Sequence, residues 1–163
     1  MANVAIWINP LDGEVKVTGF AWNDWTRPPR LTDDEFLTYA MERTLQSFGV
    51  SVSTPYRVVD EAIPAAKYSL FRAAWTDLDL TVDMDKARVL HMDDIRQVRN
   101  EELAAKDITF MRAVEAGDAS AQSTIATEKQ VLRDIPATFD ITTDVDTPEK
   151  LKAKWPAELP ERE

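Results

Sequence analysis

The segment that most constrains the fold runs from about Met84 to Ala116, a stretch long enough to form a single extended helix with Asp83 placed to cap it. Within it Met92, Ile95, Leu103, Phe110 and Val114 fall inside an arc of about 100° at 100° per residue, so one side is apolar and needs a partner. Gly117-Asp118 supplies a stop, because glycine adopts the left-handed conformation that ends helices. Ala119 to Asp134, carrying Ile125, Val131 and Leu132, starts a second helix that Ile135-Pro136 is expected to end. The two form a helical hairpin. Thr138 to Val145 reads as extended chain, and Thr147-Pro148-Glu149 as an N-cap with proline at the first helical position of a short helix reaching Trp155.

Ahead of this the pattern changes period. Val4 to Ile8 is a short apolar run, Asn9-Pro10-Leu11-Asp12-Gly13 is turn-rich, and Glu14 to Phe20 alternates polar residues with Val15 and Val17, which predicts a β-hairpin. Trp22 to Arg30, with Pro28-Pro29, reads as an extended connector carrying aromatic surface. Thr32 and Glu35 have the spacing of a capping box, so a helix starts there; Leu37, Met41, Leu45 and Phe48 mark its apolar face and Gly49 its end. Val50 to Val59 is β-branched and broken by Pro55, which suggests an edge strand with Tyr56 to Val59 as its better half. Ile63-Pro64 opens a turn into a short helical or extended stretch over 67–75, and Leu78 to Val82 adds a further short strand. The expected fold class is α+β: a small N-terminal ββαβ head or adapter over 1–80, then a long antiparallel helical hairpin with a short C-terminal helix over 81–163.

Charge and composition narrow the function. The 163 residues carry 19 Lys and Arg against 29 Asp and Glu, a net charge of −10, which repels nucleic acid and anionic membranes alike. Without cysteine there is no disulfide framework, thiolate nucleophile or cysteine zinc site. Met1 to Pro10 has no basic residue and only a short apolar run, unlike a signal peptide or membrane span, so a soluble chain is expected.

Each group with chemical potential has a plainer reading. His91, the single histidine, lacks the companions that zinc needs and reads as packing or surface. Asp140, Asp144, Asp146 and Glu149 lack EF-hand spacing and read as a solvated turn. Asp83, Asp85, Asp93 and Asp94 complement a helix start more simply than they cleave glycosides. Ser69, Ser120 and Ser123 have neither a histidine nor elbow glycines beside them in sequence, and the four glycines of the chain form no phosphate-cradling loop. No enzyme, cofactor or metal is expected. Five tryptophans leave two readings open: packing in a core or groove, or presentation of at least two at an interface. The interface candidates are Trp7, Trp22, Trp25, Phe71, Trp75 and Trp155.

From Tyr56 onward an ordered series runs Tyr56-Arg57-Val58-Val59-Asp60, Phe71-Arg72-Ala73-Ala74-Trp75, Val82-Asp83-Met84-Asp85-Lys86-Ala87-Arg88, Ile95-Arg96 and Phe110-Met111-Arg112-Ala113. It continues through Glu115-Ala116-Gly117-Asp118, Lys129 to Asp134, Thr147-Pro148-Glu149 and Trp155-Pro156. Over about 100 residues this resembles a family of small tailed-phage proteins encoded in tail-fibre and baseplate gene clusters. The resemblance implies a structural, non-enzymatic component of a bacteriophage tail fibre or tail tip, made in the host bacterial cytoplasm and attached to other tail or fibre proteins in the virion. A tail-fibre assembly chaperone absent from the finished particle is the alternative, and a carboxylate-based glycan depolymerase the enzymatic rival. The helical stripe fits an intramolecular hairpin as well as a homo-oligomeric bundle. The first 55 residues lie outside the series and are the expected adapter.

Overall fold

The computed structural model describes residues 3–20, 28, 30–67 and 70–161. The chain divides into two compact units, Met1–Asp83 and Met84–Glu163.

The first unit is built on an antiparallel sheet of three strands, β1 (Asn3–Ile8), β2 (Val15–Gly19) and β3 (Tyr56–Asp60), in the order β2-β1-β3. The apolar run that marked β1 is uninterrupted because the strand is central and covered on both faces: Val4, Ala5, Ile6 and Trp7 are all buried. Alternation sends Ala5 and Trp7 to one face and Val4, Ile6 and Ile8 to the other. Pairing of Ile6 with Val17 and Ile8 with Val15 puts the valines of β2 on the second face. Between β1 and β2, the Asn9 N–H donates to the Glu14 carbonyl and Gly13 sits at φ 72°, a conformation that suits glycine.

Helix α1 (Asp33–Ser47) covers the Ala5 and Trp7 face. The capping box is formed: the Glu35 N–H donates to Thr32 Oγ1 at 3.3 Å, and the Thr32 N–H donates to Glu35 Oε2 at 2.8 Å. Its buried residues are Phe36, Met41 and Leu45, whereas Leu37 is half-buried and Phe48 is 49% exposed. The expected stripe is thus turned by one residue at its start, and Phe48 leaves it because it lies beyond the last helical residue. At the helix end the Val50 N–H donates to the Leu45 carbonyl and the Gly49 N–H to Gln46, with Gly49 at φ 68°. This Schellman arrangement satisfies the last carbonyls and turns Val50 back beside Leu45 in the core.

After β3, α2 (Ala62–Lys67) forms where a turn was expected. Pro64 is buried in its first turn, where a helix has no need of the missing N–H. Residues 70–83 then cross the second face of the sheet, with a 3-10 turn at Arg72–Ala74. The strand expected over Leu78 to Val82 is reduced to one bridge, Trp75 with Val82, because Leu80 takes a left-handed φ of 60° that no continuous ladder accommodates. The same bridge, with the Asp83 N–H donating to the Ala74 carbonyl, holds residues 81–83 in the first unit. The connector expected over 22–30 lies outside the described residues except for Pro28 and Arg30.

The second unit is the antiparallel pair α3 (Met84–Glu115) and α4 (Ala119–Thr138), followed by α5 (Pro148–Ala153). Gly117 turns the chain at φ 68°, the Asp118 N–H donates to the Ala113 carbonyl, and the Asp118 carboxylate caps α4 by accepting from the Ala121 N–H at 2.9 Å. The core joins Met92, Ile95, Leu132, Ile135 and Leu159, with Leu103, Phe139 and Trp155 packed against it. Two expectations are corrected. Helix α4 passes through Pro136 rather than stopping before it, because burial of Leu132 and Ile135 holds that turn and the helix ends two residues later. The extended segment expected over 138–145 is instead bent at Asp140, whose carboxylate accepts from the Thr142 and Thr143 N–H groups. Helix α5 starts as expected, with Thr147 Oγ1 accepting from the Lys150 N–H at 3.3 Å.

Candidate functional site

Four of the six aromatic candidates lie among the described residues, and each packs within its own unit. Trp7 is fully buried among Ala5, Met41, Leu45 and Val50, and its Nε1 donates to Thr18 Oγ1 at 3.0 Å. Trp75 is 3% exposed and packs on the opposite face of the sheet with Ile6, Val15 and Leu80. Both are core residues of the first unit and present no aromatic surface, because a central strand offers two apolar faces and each receives one indole. Phe71 is half-buried at the entry to the 3-10 turn, with φ 51°. Trp155 is half-buried in the second unit, where its Nε1 donates to the Pro160 carbonyl at 2.9 Å and its ring meets that of His91 edge-on at 5.9 Å. Trp22 and Trp25 lie outside the described residues.

The titratable groups serve the scaffold. His91 is completely buried on α3, with Nε2 2.7 Å from the Lys154 carbonyl, so it fastens the chain after α5 to the long helix. Asp85 pairs with Arg88 and Asp93 with Arg96, each at 2.7 Å one turn along α3. Ser120 and Ser123 lie on α4, and Ser69 is outside the described residues. In the acidic segment after α4, backbone and hydroxyl donors from Thr142 and Thr143 hold the Asp140 carboxyl well below the usual range. Asp146 pairs with Lys150 at 2.7 Å, which lowers its pKa as well. Among the described residues no three His, Cys, Asp or Glu side chains are grouped to hold a metal ion.

What sequence reasoning missed is on the outside of the helix pair. Ile108, Met111 and Val114 are 58%, 56% and 44% exposed. At 100° per residue Ile108 lies about 140–160° and Met111 about 100–160° from Met92, Ile95 and Ala113, the side that faces α4. Val114, expected in the buried stripe, is displaced from the seam by the small Ala113, which is buried there. Ala104 and Ala105 extend this face toward the N-terminal end of α3 and are also exposed. For Ile108 and Met111 the signal was present in the sequence as apolar residues out of phase with the stripe, whereas Val114 is in phase with it and gave none. On the seam side, Lys106 pairs with Glu128 at 2.6 Å and Lys129 with Asp107, joining α3 to α4. A shallow cleft of about 260 Å³ lies beside the first of these pairs, lined by Glu102, Val131, Leu132 and Glu158.

No family model, curated protein or solved structure matches the chain.

Proposed function

We propose that this chain is a structural, non-enzymatic component of a bacteriophage tail, at the tail fibre or tail tip, which attaches to other tail proteins in the virion. Placement in a tail comes from the ordered residue series between Tyr56 and Pro156. The observation that carries attachment is the outer face of α3, where Ile108, Met111 and Val114 stand exposed on a helix otherwise rich in charge. Apolar side chains gathered on one exposed helix face mark a surface that gains by association. The groups that chemistry would need have structural partners instead: His91 meets a main-chain carbonyl, and Asp85, Asp93 and Asp146 meet basic side chains.

Quantitative mass spectrometry of purified particles, set beside the infected-cell lysate that produced them, tests the reading. A fixed copy number per particle is expected. Abundance in the lysate with absence from particles overturns it in favour of a tail-fibre assembly chaperone.

A further inference from the structure

The two faces of the sheet are covered by different kinds of chain. Helix α1 lies on one; the other is covered by residues 70–83, which are irregular apart from one 3-10 turn and supply Trp75, Leu78, Leu80 and Val82 to a core with Ile6, Val15, Val17 and Val59. We propose that this segment is a strap that opens as a unit while β1, β2 and α1 stay folded, uncovering the apolar face of the sheet.

Three observations carry this. First, from Ala74 onward the main-chain hydrogen bonds of the strap close within it, Ala74 to Phe71, Trp75 to Arg72, Thr76 to Thr81, Leu80 to Asp77 and Asp83 to Ala74, while at its start the Leu70 N–H donates to the Lys67 carbonyl of α2. The segment therefore leaves the sheet without breaking a ladder, and its turns, which packing on the sheet alone supports, open together once it lifts, as cooperative substructures do. Second, it holds two bulky residues in left-handed backbone, Phe71 at φ 51° and Leu80 at φ 60°. A residue with a Cβ adopts this conformation only under constraint from its surroundings, and burial of Leu80 at 1% exposure supplies that constraint. Third, the seal is imperfect at one edge, where a cleft of about 250 Å³ is lined by Glu14, Val15 and Lys16 of the sheet and Arg72, Ala73 and Trp75 of the strap.

One carboxylate shapes the strap and another latches it. Asp77 Oδ1 accepts from the Asp79 N–H at 2.9 Å and the Thr81 N–H at 3.0 Å, shaping the bend that carries Leu80 inward. Asp79 then ties the bend to its neighbours: its carboxylate pairs with Arg57 of β3, and its carbonyl accepts from Lys67 Nζ at 3.1 Å. The inference concerns the first unit alone and does not depend on the tail reading.

Native-state hydrogen exchange, followed by NMR on the full chain at several low urea concentrations, tests it. The Thr76, Leu80 and Asp83 amides are expected to exchange as one group, at least tenfold faster than the Ala5 to Trp7 amides and with a smaller urea dependence. Exchange at the β1 rate and urea dependence overturns the proposal, as does exchange of the three amides at unrelated rates without urea dependence. In Asp77→Ala the strap amides should exchange at least a further tenfold faster with β1 unchanged; equal acceleration of β1 overturns it. If that variant does not fold, the unsubstituted chain still decides.

Discussion

In the first unit both described indoles are hidden, Trp7 on one face of the sheet and Trp75 on the other, while in the second Ile108 and Met111 stand more than half exposed on the long helix. The difference follows from geometry. A central strand flanked by two layers buries its interior residues on both faces, and so the run from Val4 to Trp7 is closed to solvent. A pair of helices has one seam, and an apolar residue off that seam stays outside. Counting indoles therefore locates the core in the first unit, and phase along α3 locates the surface in the second.

The largest expected effect tests the buried side of this contrast. Trp7→Ala and Trp75→Ala should each cost about 3–5 kcal/mol of stability, as truncations of buried aromatics do, measured by urea unfolding of the first-unit signal. A loss below about 0.5 kcal/mol for either would place that indole on a surface and dissolve the comparison.

The turns come next. Gly117→Ala forces a Cβ into left-handed backbone with no atom within 4 Å to meet it, so the cost is purely conformational, about 1 kcal/mol. Thr32→Ala removes the α1 capping box at a similar cost of about 1 kcal/mol. Thermal unfolding with probes in each unit sharpens the comparison: Gly117→Ala should lower the melting of the helix pair and Thr32→Ala that of the sheet unit.

On the exposed side, Ile108→Gln and Met111→Gln should change stability by less than about 0.5 kcal/mol, because neither side chain packs in the seam. Both should reduce recovery of the chain in purified particles. Normal incorporation of the double variant removes the outer face of α3 from the attachment role.

Acid gives the most gradual change. Hydroxyl and backbone donors hold Asp140 below its ordinary value, backbone donors and neighbouring lysines do the same for Asp12 and Asp77, Lys150 for Asp146, and Glu35 is held low by its capping bonds. Groups depressed in the folded state contribute stability above the unfolded carboxylate range, near pH 4, and lose it as pH falls through the folded values. Stability should therefore decline progressively below about pH 4 in both units, with a small share from each of these solvent-screened groups. Urea midpoints that do not fall between pH 5 and pH 2 contradict this sign.

Local signals were legible where local chemistry decides. The Thr32 and Glu35 spacing, the Gly49 and Gly117 stops and the Thr147-Pro148 start all act within one helical turn, and the structure realises each. Leu78 to Val82 misled because strand propensity there is overridden by the Asp77 bend and by burial of Leu80. Pro136 misled because packing of Ile135 outweighs the proline's tendency to stop a helix. The exposed α3 face is legible in the phase of Ile108 and Met111 but not in that of Val114, whose exposure depends on how α4 packs.

By itself the sequence determined the α+β class, the capped starts of α1 and α5, the glycine stops at Gly49 and Gly117, and the acidic net charge, because capping and turn chemistry depend on residues close in the chain. Only the tertiary structure decided that Trp7 and Trp75 are core, that His91 fastens the chain after α5, and that Ile108 and Met111 face outward. Those outcomes depend on which faces meet across distant segments, and burial there outweighs the propensity of any single residue.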